Sequence, residues 1–411
     1  MGDIFELAIR NVRLRDRPDG LLNIGIQGGL ITCITADPIA GVAELDGEGN
    51  LLTASFVDAH LHLCKVYTLP LIGDQVVRLY TAGGMGQAIT AIERAAAVKE
   101  TYNETWIYEN ARRALLEGLK HGVTHVQAFA DTDTRARLEA VKALLRLRDE
   151  LRRAVDVRIV AFPQEGILRD PGAEDTVREA LALGADVVGG IPWIEHTAPE
   201  AQEHVDRMLR LAKAFDRDVA MLVDDTGDPR LLTTEMLAHA ATREGWAGRV
   251  TACHARAMSL YPEPYFRQLV GLCRRAQMRF VTDPHTGPLH LRFEELLEAG
   301  VPVALGQDDI ADAYYPYGQH NMLEVAFLAS HIFGTPTFGQ METMFDMITS
   351  HAARVLGLAD YGVAVGKGAH LVVLHGASVH DALRTHRPPR YVISHGRVVA
   401  ETVEETRMHW A

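Results

Sequence analysis

Eight short apolar runs recur between residues 56 and 356, and helical patterns such as TRARLEAVKALLRLRDELRRA lie between most of them. Alternating strand and helix patterns indicate parallel strands joined by helices. Eight such units are the number that a closed (β/α)8 barrel, or TIM barrel, requires. An open doubly wound sheet would usually carry a glycine-rich phosphate turn after its first strand, and FVDAHLHL has none. The runs are FVDAHLH, THVQAFAD, VRIVAFPQ, ADVVGGIPW, DVAMLVDD, RVTACHA, RFVTDPH and VPVALGQDD.

Both ends of the chain are rich in alternating β patterns with Gly and Asp turns, as in LLNIGIQGGLITCITAD and PRYVISHGRVVAET. This pattern is typical of small antiparallel sheets. We therefore expect an α/β fold with a composite β-sandwich domain from residues 1–55 and 357–411, and a barrel domain from residues 56–356. Two unrelated edge hairpins are the alternative.

Most of the apolar runs end in a polar residue with chemical use. Barrel active sites lie at the carboxyl ends of the strands, so these side chains are expected to converge on one mouth. Structural polar residues would scatter instead. The residues are His60, His62, Asp131, Gln164, Asp225, His254, Asp283 and Asp308.

His60 and His62 lie two residues apart on the first strand, so both should face the same side and form half of a divalent metal site. Asp308, at the end of the eighth strand, would add an anionic third ligand and accept a proton. A solvated or buried structural pair is the alternative for the histidines. A helix N-cap is the alternative for Asp308 and Asp309.

His254 ends the sixth strand, where it would orient water, contact a substrate, complete a metal site, or serve structure alone. Its neighbour Cys253 is predicted to point away from the mouth because strand neighbours alternate faces. Neither Cys253 nor Cys64 has an obvious activating partner, and the sequence has no GxSxG elbow. Acyl transfer through a nucleophile is therefore unsupported.

The formal net charge of −13 argues against a nucleic-acid partner, which would require clustered Lys and Arg. Four scattered cysteines favour a reduced, cytoplasmic compartment over a disulfide framework. No signal peptide or membrane-spanning apolar segment is predicted. A small-molecule substrate remains compatible with all of these features.

Several motifs together extend over nearly the whole chain: DAHLHL at 58–63, FPQEGI at 162–167, LGADVVGGIP at 183–192, VTACHARAM at 250–258, GQDDIADAYYPYG at 306–318 and DYGVAVGKGAHLVVL at 360–374. With them the chain resembles the cytosine deaminases of bacteria and their relatives that hydrolyse triazine rings, within the amidohydrolase superfamily.

The resemblance implies a divalent Zn or Fe ion held by the two histidines of the first strand, a histidine of strand five and Asp308. It implies hydrolytic deamination or C–N cleavage of a pyrimidine- or triazine-like heterocycle by metal-activated water. Gln164 would pair with the amide edge of the ring, and Tyr314 would pack on it. Members of the family often form homo-oligomers, which leaves the oligomeric state of this chain open.

The chain departs from the family pattern at the mouth. Leu222 occupies the position of the strand-five ligand, and Asp225 occupies that of a proton-shuttling Glu that acts with His254 and Asp308. Phe129 and Gln307 each replace a histidine. Loss of a ligand from a metal site weakens binding, so we expect weak metal occupancy in a degenerate site.

Three functions follow from these residues. The first is a metal-dependent deaminase or amidohydrolase with an altered ligand set, which we favour. The second is a metal-free enzyme, a lyase or isomerase, in which Asp225, His254 and Asp308 perform acid–base chemistry. The third is a non-catalytic protein, such as a decayed paralogue, that binds a heterocycle through Gln164.

Overall fold

A computed structural model describes residues 4–72, 76, 78, 90, 92–284 and 289–409 of the chain; His285, at the end of the seventh apolar run, lies outside these residues. Strands β1 to β16 are Ile4–Leu14, Arg17–Gln27, Leu30–Thr35, Ala40–Asp46, Leu52–Ala54, Phe56–Leu61, Val123–Asp131, Asp156–Phe162, Val187–Gly190, Asp218–Val223, Val250–His254, Arg279–Thr282, Val303–Leu305, Leu371–Val373, Tyr391–Ser394 and Arg397–Glu401.

Strands β6 to β13 form one eight-stranded sheet in sequence order, and the neighbouring strands pair in parallel. Leu61 and Asp308 bridge its first and last strands, so the sheet closes. The (β/α)8 barrel predicted from the eight apolar runs is confirmed.

In the described residues, helices α1 to α8 lie between successive barrel strands, α9 to α11 follow β13, and α12 follows β14. They are Leu69–Ile72, Glu104–Lys120, Glu139–Leu151, Ala173–Leu183, Ala198–Phe215, Thr233–Arg243, Glu263–Arg275, Phe293–Glu298, Met322–Ile332, Phe338–Asp346, Ser350–Leu356 and Val379–Thr385. The described part of the chain also contains 3-10 helices at Ala96–Thr101, Pro192–Ile194 and Arg256–Leu260. Among the described residues, no helix is both long enough and apolar enough to cross a membrane.

Helix α2 shows how local sequence builds these elements. The side chain of Asn103 caps its first turn by accepting a hydrogen bond from the backbone N–H of Trp106. Buried residues then recur at helical spacing, as at Ile107, Ala111 and Ala114, and this stripe packs on the barrel strands.

The barrel interior is filled by one cluster of apolar side chains that includes Phe129, Leu222, Cys253 and Val281. Cys253, predicted to point away from the mouth, points into the barrel interior and is not among the residues that line the mouth cavity. Cys253 pairs in parallel with Leu222, and both side chains belong to the interior cluster. His254 still reaches the mouth because its φ of 69° turns the chain at the strand end and breaks the alternation.

Two four-stranded sheets lie outside the barrel, in the orders β3-β2-β1-β4 and β16-β15-β14-β5. A shared apolar cluster joins residues of both chain ends, for example Ile9 and Ile24 with Leu371 and Ile393. The prediction that the two ends of the chain form one small sandwich is therefore confirmed, and the alternative of two unrelated hairpins is excluded. The domain division of the chain after residues 55 and 356 stays a prediction.

Candidate active site

The ring nitrogens of two histidines and one carboxylate oxygen meet at the carboxyl end of the barrel. Nε2 of His60 lies 3.0 Å from Oδ1 of Asp308, and Nε2 of His62 lies 3.4 Å from the same oxygen. The two Nε2 atoms are 3.3 Å apart. All three residues are buried. The structure therefore brings together the three metal ligands predicted from the sequence.

Closure of the barrel sets this geometry. The backbone N–H of Asp308 donates to the carbonyl of His60 over 2.8 Å, and that of His62 donates to the carbonyl of Asp308 over 2.7 Å. Gly306 permits the approach, because a Cβ there would lie 2.7 Å from the Cβ of His60. Any larger residue at that position would push the first ligand out of place.

These atoms fit a divalent ion. Tetrahedral ligands at metal distances of about 2.0–2.1 Å lie about 3.3 Å from one another, close to the three separations that the structure shows. Burial lowers the pKa of His60 and of His62 well below the usual value, so both imidazoles keep a lone pair for a metal. The fit involves three protein ligands, which suffices for a catalytic zinc site with one open position.

Apolar side chains cover the position where a fourth ligand would stand. Leu222 is 4% exposed and lines the same cavity as His62 and Asp308. The ring of Phe129 lies 4.0 Å from the ring of His60, centroid to centroid, and 5.3 Å from that of His62. These contacts fix the imidazoles by packing, and they keep water away from one side of the site.

A second group of charges surrounds His254. Nδ1 of His254 is hydrogen-bonded to Asp283 and lies 3.8 Å from Asp225. The guanidinium of Arg256 lies 3.1 Å from Asp225 and 3.5 Å from Asp283. Nε2 of His254 is buried and has no hydrogen-bond partner within the described parts of the chain. Asp283 thus orients the ring and leaves Nε2 available to a bound molecule.

Two electrostatic effects compete at His254. Burial opposes its charge, but the carboxylates of Asp225, Asp283 and Asp308 outweigh burial and raise its pKa to about 9. Burial raises the pKa of Asp225, although Arg256 opposes that rise. Perturbed carboxyl and imidazole groups in one cavity are typical of a site for proton transfer.

Two pairs of adjacent aspartates, Asp224–Asp225 and Asp308–Asp309, lie at strand ends, and the members of the first pair have different roles. Asp224 accepts hydrogen bonds from the backbone of Thr233 and Thr234 and so anchors the start of α6, while its neighbour Asp225 lines the cavity. Asp308 is no helix cap, because the helix that follows is capped by Asn321. The helix-cap alternative for the second pair is therefore excluded.

Asp309 also faces the cavity beside Asp308. Burial and then the charge of Asp308 raise the pKa of Asp309 to about 8. A hydrogen bond to Asp312 opposes that rise. A protonated Asp309 would avoid a second buried negative charge beside the first.

The predicted substrate-binding residues also meet. Nε2 of Gln164 donates to the hydroxyl of Tyr314 over 3.2 Å, and Nζ of Lys65 donates to Oε1 of Gln164 over 2.5 Å. Burial opposes the charge of Lys65, but Asp131 and Asp309 outweigh it and raise its pKa. A charged ammonium thus holds the carboxamide of Gln164 in one orientation.

Next to these substrate-binding residues, the buried ammonium of Lys99 contacts three carboxylates. Its Nζ lies 2.5 Å from Asp133, 3.0 Å from Glu165 and 3.3 Å from Asp131. Asp131, predicted from the sequence to reach the mouth, therefore belongs to an ion-pair network next to it.

The cavity enclosed by these groups has a volume of about 30 Å³. A buried water needs about 10–15 Å³ of such space, so the cavity holds about two waters, and a heterocyclic ring requires the lining to open. The lining residues are His62, Lys65, Ile92, Gln164, Ile191, Trp193, Leu222, Asp225, His254, Asp308, Asp309 and Tyr314.

Three residues of the site were missed by sequence reasoning: Lys65, Trp193 and Arg256. Each ends or closely follows a predicted strand, so position at a strand end was the available signal. Asp283 was predicted to reach the mouth, but its role was not. Its partner, His254, becomes evident only when strands β11 and β12 are placed side by side.

The two cysteines near the site are not nucleophiles. Burial raises the pKa of Cys64 and of Cys253, so both remain thiols. This agrees with the absence of an activating partner that the sequence suggested.

A barrel whose mouth joins two histidines and an aspartate defines a metallohydrolase-like class of site, and the family follows from comparison. The sequence profile of the amidohydrolase family matches residues 43–400, so the chain belongs to that family. The predicted resemblance is confirmed.

Comparisons with individual proteins also support membership of the amidohydrolase family. The chain is 31% identical over 411 residues to the N-isopropylammelide isopropyl amidohydrolase of Pseudomonas sp. (strain ADP), with 98% of each chain covered. The structure of 5-methylcytosine deaminase from Klebsiella pneumoniae with 5-fluorocytosine superposes with a TM-score of 0.89 at 30% identity, covering 98% of this chain and 99% of that one. The structure of N-isopropylammelide isopropylaminohydrolase from Burkholderia multivorans ATCC 17616 superposes with a TM-score of 0.85 at 25% sequence identity. The match covers 97% of this chain and 99% of that one.

Proposed function

We propose that the protein is a metal-dependent amidohydrolase that cleaves an exocyclic C–N bond of a pyrimidine- or triazine-like heterocycle. The observation that carries this proposal is the convergence of His60, His62 and Asp308 within 3.4 Å of one another. Two relatives support the substrate class, since one is a 5-methylcytosine deaminase and another an N-isopropylammelide amidohydrolase.

His60, His62 and Asp308 would hold a Zn or Fe ion, and the ion would activate water for attack on the ring carbon that carries the nitrogen. Water adds to that carbon, the exocyclic C–N bond breaks, and the nitrogen leaves as ammonia or an amine after gaining a proton. His254, oriented by Asp283, presents Nε2 to the reacting atoms and hydrogen-bonds the developing oxygen anion. Asp225 carries the proton to the leaving nitrogen.

Gln164 and Tyr314 form the binding face. A carboxamide offers one acceptor and two donors, which match the adjacent N–H and C=O groups of a cyclic amide. A bound ring would take the place of the contact between these two side chains, and Tyr314 would then pack on the ring. Lys65 keeps Gln164 oriented for this exchange.

The state of the cysteines bears on the compartment in which the protein works. All four are free thiols, and three of them are buried. This supports our proposal that the protein works in the reducing cytoplasm.

Turnover tests the proposal. Protein loaded with Zn²⁺ or Fe²⁺ is incubated with cytosine, 5-methylcytosine and N-isopropylammelide, and ammonia or isopropylamine is measured. We expect turnover of at least one compound, its loss after chelation, and its return when the metal is restored. Asp308→Asn should remove it, and the exposed Asp16→Asn should not.

Two results would contradict the proposal. Equal turnover before and after chelation would favour the metal-free acid–base enzyme. Saturable binding of a heterocycle without turnover of any compound, in metal-loaded protein, would favour the binding protein.

A further inference from the structure

A second cluster of histidines lies at the opposite end of the barrel. His125 and Asp156 stand near the amino ends of β7 and β8, and they are paired residues of these strands. His370 precedes β14, and His395 lies in the turn between β15 and β16. The barrel and the C-terminal sheet therefore each contribute two residues to this junction, far from the mouth.

His125, Asp156, His370 and His395 form this base cluster, in which two imidazoles contact one carboxylate oxygen and a third packs against both rings. Nε2 of His125 and Nε2 of His395 each lie 3.4 Å from Oδ2 of Asp156. The ring of His370 lies 4.7 Å from that of His125 and 4.4 Å from that of His395, centroid to centroid. One ligand atom each from His125, Asp156 and His370 falls within 4.8 Å of the others.

Hydroxyl groups orient two of these rings. Nδ1 of His125 lies 2.9 Å from the hydroxyl of Thr124, which itself contacts the hydroxyl of Ser55. Nδ1 of His370 lies 3.3 Å from the hydroxyl of Ser394. Histidines that bind metals commonly use one nitrogen for the ion and the other for such an outer hydrogen bond.

Two imidazoles of the cluster, those of His125 and His370, are held neutral at physiological pH. Burial and then the neighbouring imidazoles lower the pKa of His125 to about 3 and that of His370 to about 4. Neutral rings keep the lone pairs that a metal requires. An adjacent cavity of about 590 Å³, lined in part by His370, His395 and Asp360, gives an ion a path from solvent.

We infer that His125, Asp156 and His370, with His395 turning in from beside Asp156 as the fourth ligand, form a second, structural site for a divalent ion of the zinc class. Three imidazoles and one carboxylate are a ligand set that suits Zn²⁺, and structural zinc sites use four protein ligands. An ion bound there would link the barrel to the C-terminal sheet and stabilise the folded chain by mass action. This inference is independent of the function proposed for the mouth.

The test starts from a His60→Ala, His62→Ala double variant, so that metal binding at the mouth is removed. Zn²⁺ is titrated into the chelator-treated variant by calorimetry, and the thermal midpoint is measured with and without the ion. We expect one equivalent bound with a dissociation constant in the micromolar range or below, and a midpoint several degrees higher with zinc.

His370→Gln, added to the same background, keeps a polar side chain of similar reach next to Ser394. It should bind at least about tenfold more weakly and lose the thermal shift, while its midpoint without zinc stays close to that of the parent. His409→Ala, at an exposed residue, is the matched control and should change neither quantity. Absence of binding in the parent, or binding unchanged by His370→Gln, would overturn the inference.

Discussion

Leu222 decides how strongly the mouth can hold a metal. Its side chain is almost fully buried and faces the cavity beside His62, His254 and Asp308. A leucine has no lone pair and cannot coordinate an ion, so the proposed site has three protein ligands. The same apolar surface lowers the local dielectric and strengthens the remaining electrostatic contacts.

Leu222→His is expected to strengthen Zn²⁺ binding about 10–100-fold, because it supplies a third imidazole nitrogen as a fourth ligand. Competition against a chromophoric chelator measures the affinity. Leu222→Met fills the same volume without a nitrogen and should leave the affinity near that of the wild type. Equal affinities for the histidine and methionine variants would contradict the role assigned to this position.

Some site residues could be predicted from the sequence, and others could not. The spacing of His60 and His62 places both side chains on one face of a strand, and Asp308 ends another barrel strand, so their meeting follows from topology. Lys65 and Asp283 act through partners that lie far away in sequence. Such contacts depend on how far a side chain reaches across the mouth, and the hydrophobic periodicity of the sequence contains no information about that distance.

At the scale of elements, the 3-10 helix Ala96–Thr101 is joined to the barrel strands through Lys99. The buried ammonium contacts carboxylates at the end of β7 and in the segments after β7 and β8, so one side chain links three segments. Burial opposes the charge of Lys99, but Asp131, Asp133 and Glu165 outweigh it and raise its pKa well above the usual value.

Lys99→Met should destabilise the protein by about 3–5 kcal/mol, because it leaves buried carboxylates without their cation. Urea unfolding measures the free energy of unfolding. Lys120→Met is the matched control, since the ion pair of Lys120 with Glu117 is about half exposed, and its effect should be within about 0.5 kcal/mol. A change at Lys99 as small as that of the control would contradict the importance of the network.

The elements themselves were largely predictable, with errors at their ends. The helical pattern that starts at Thr134 becomes helix α3 only from Glu139. The side chain of Asp133 accepts from the backbone of Ala136 and contacts Lys99, while Arg137 has a φ of 57°. Local hydrogen bonds and a left-handed residue thus delay the helix, and periodicity alone did not reveal them.

At the scale of the whole molecule, the barrel has two polar ends with different roles. The mouth collects strand-end residues, as barrel topology predicts. The base cluster joins His125 and Asp156 of the barrel to His370 and His395 of the C-terminal sheet. No local pattern predicts this cluster, because it arises only when the chain ends fold back against the barrel.

Metal content is the most direct measurement of the proposed hydrolase. The His370→Gln variant weakens the base cluster, so elemental analysis after equilibrium dialysis against a metal-containing buffer, corrected for the free metal, counts the metal at the mouth. Because the site has three ligands, we predict weak binding that approaches one equivalent of Zn or Fe per chain only at high metal concentration, and its loss when Asp308→Asn is added. Less than about a tenth of an equivalent, or a content unchanged by Asp308→Asn, would contradict metal-dependent hydrolysis at His60, His62 and Asp308.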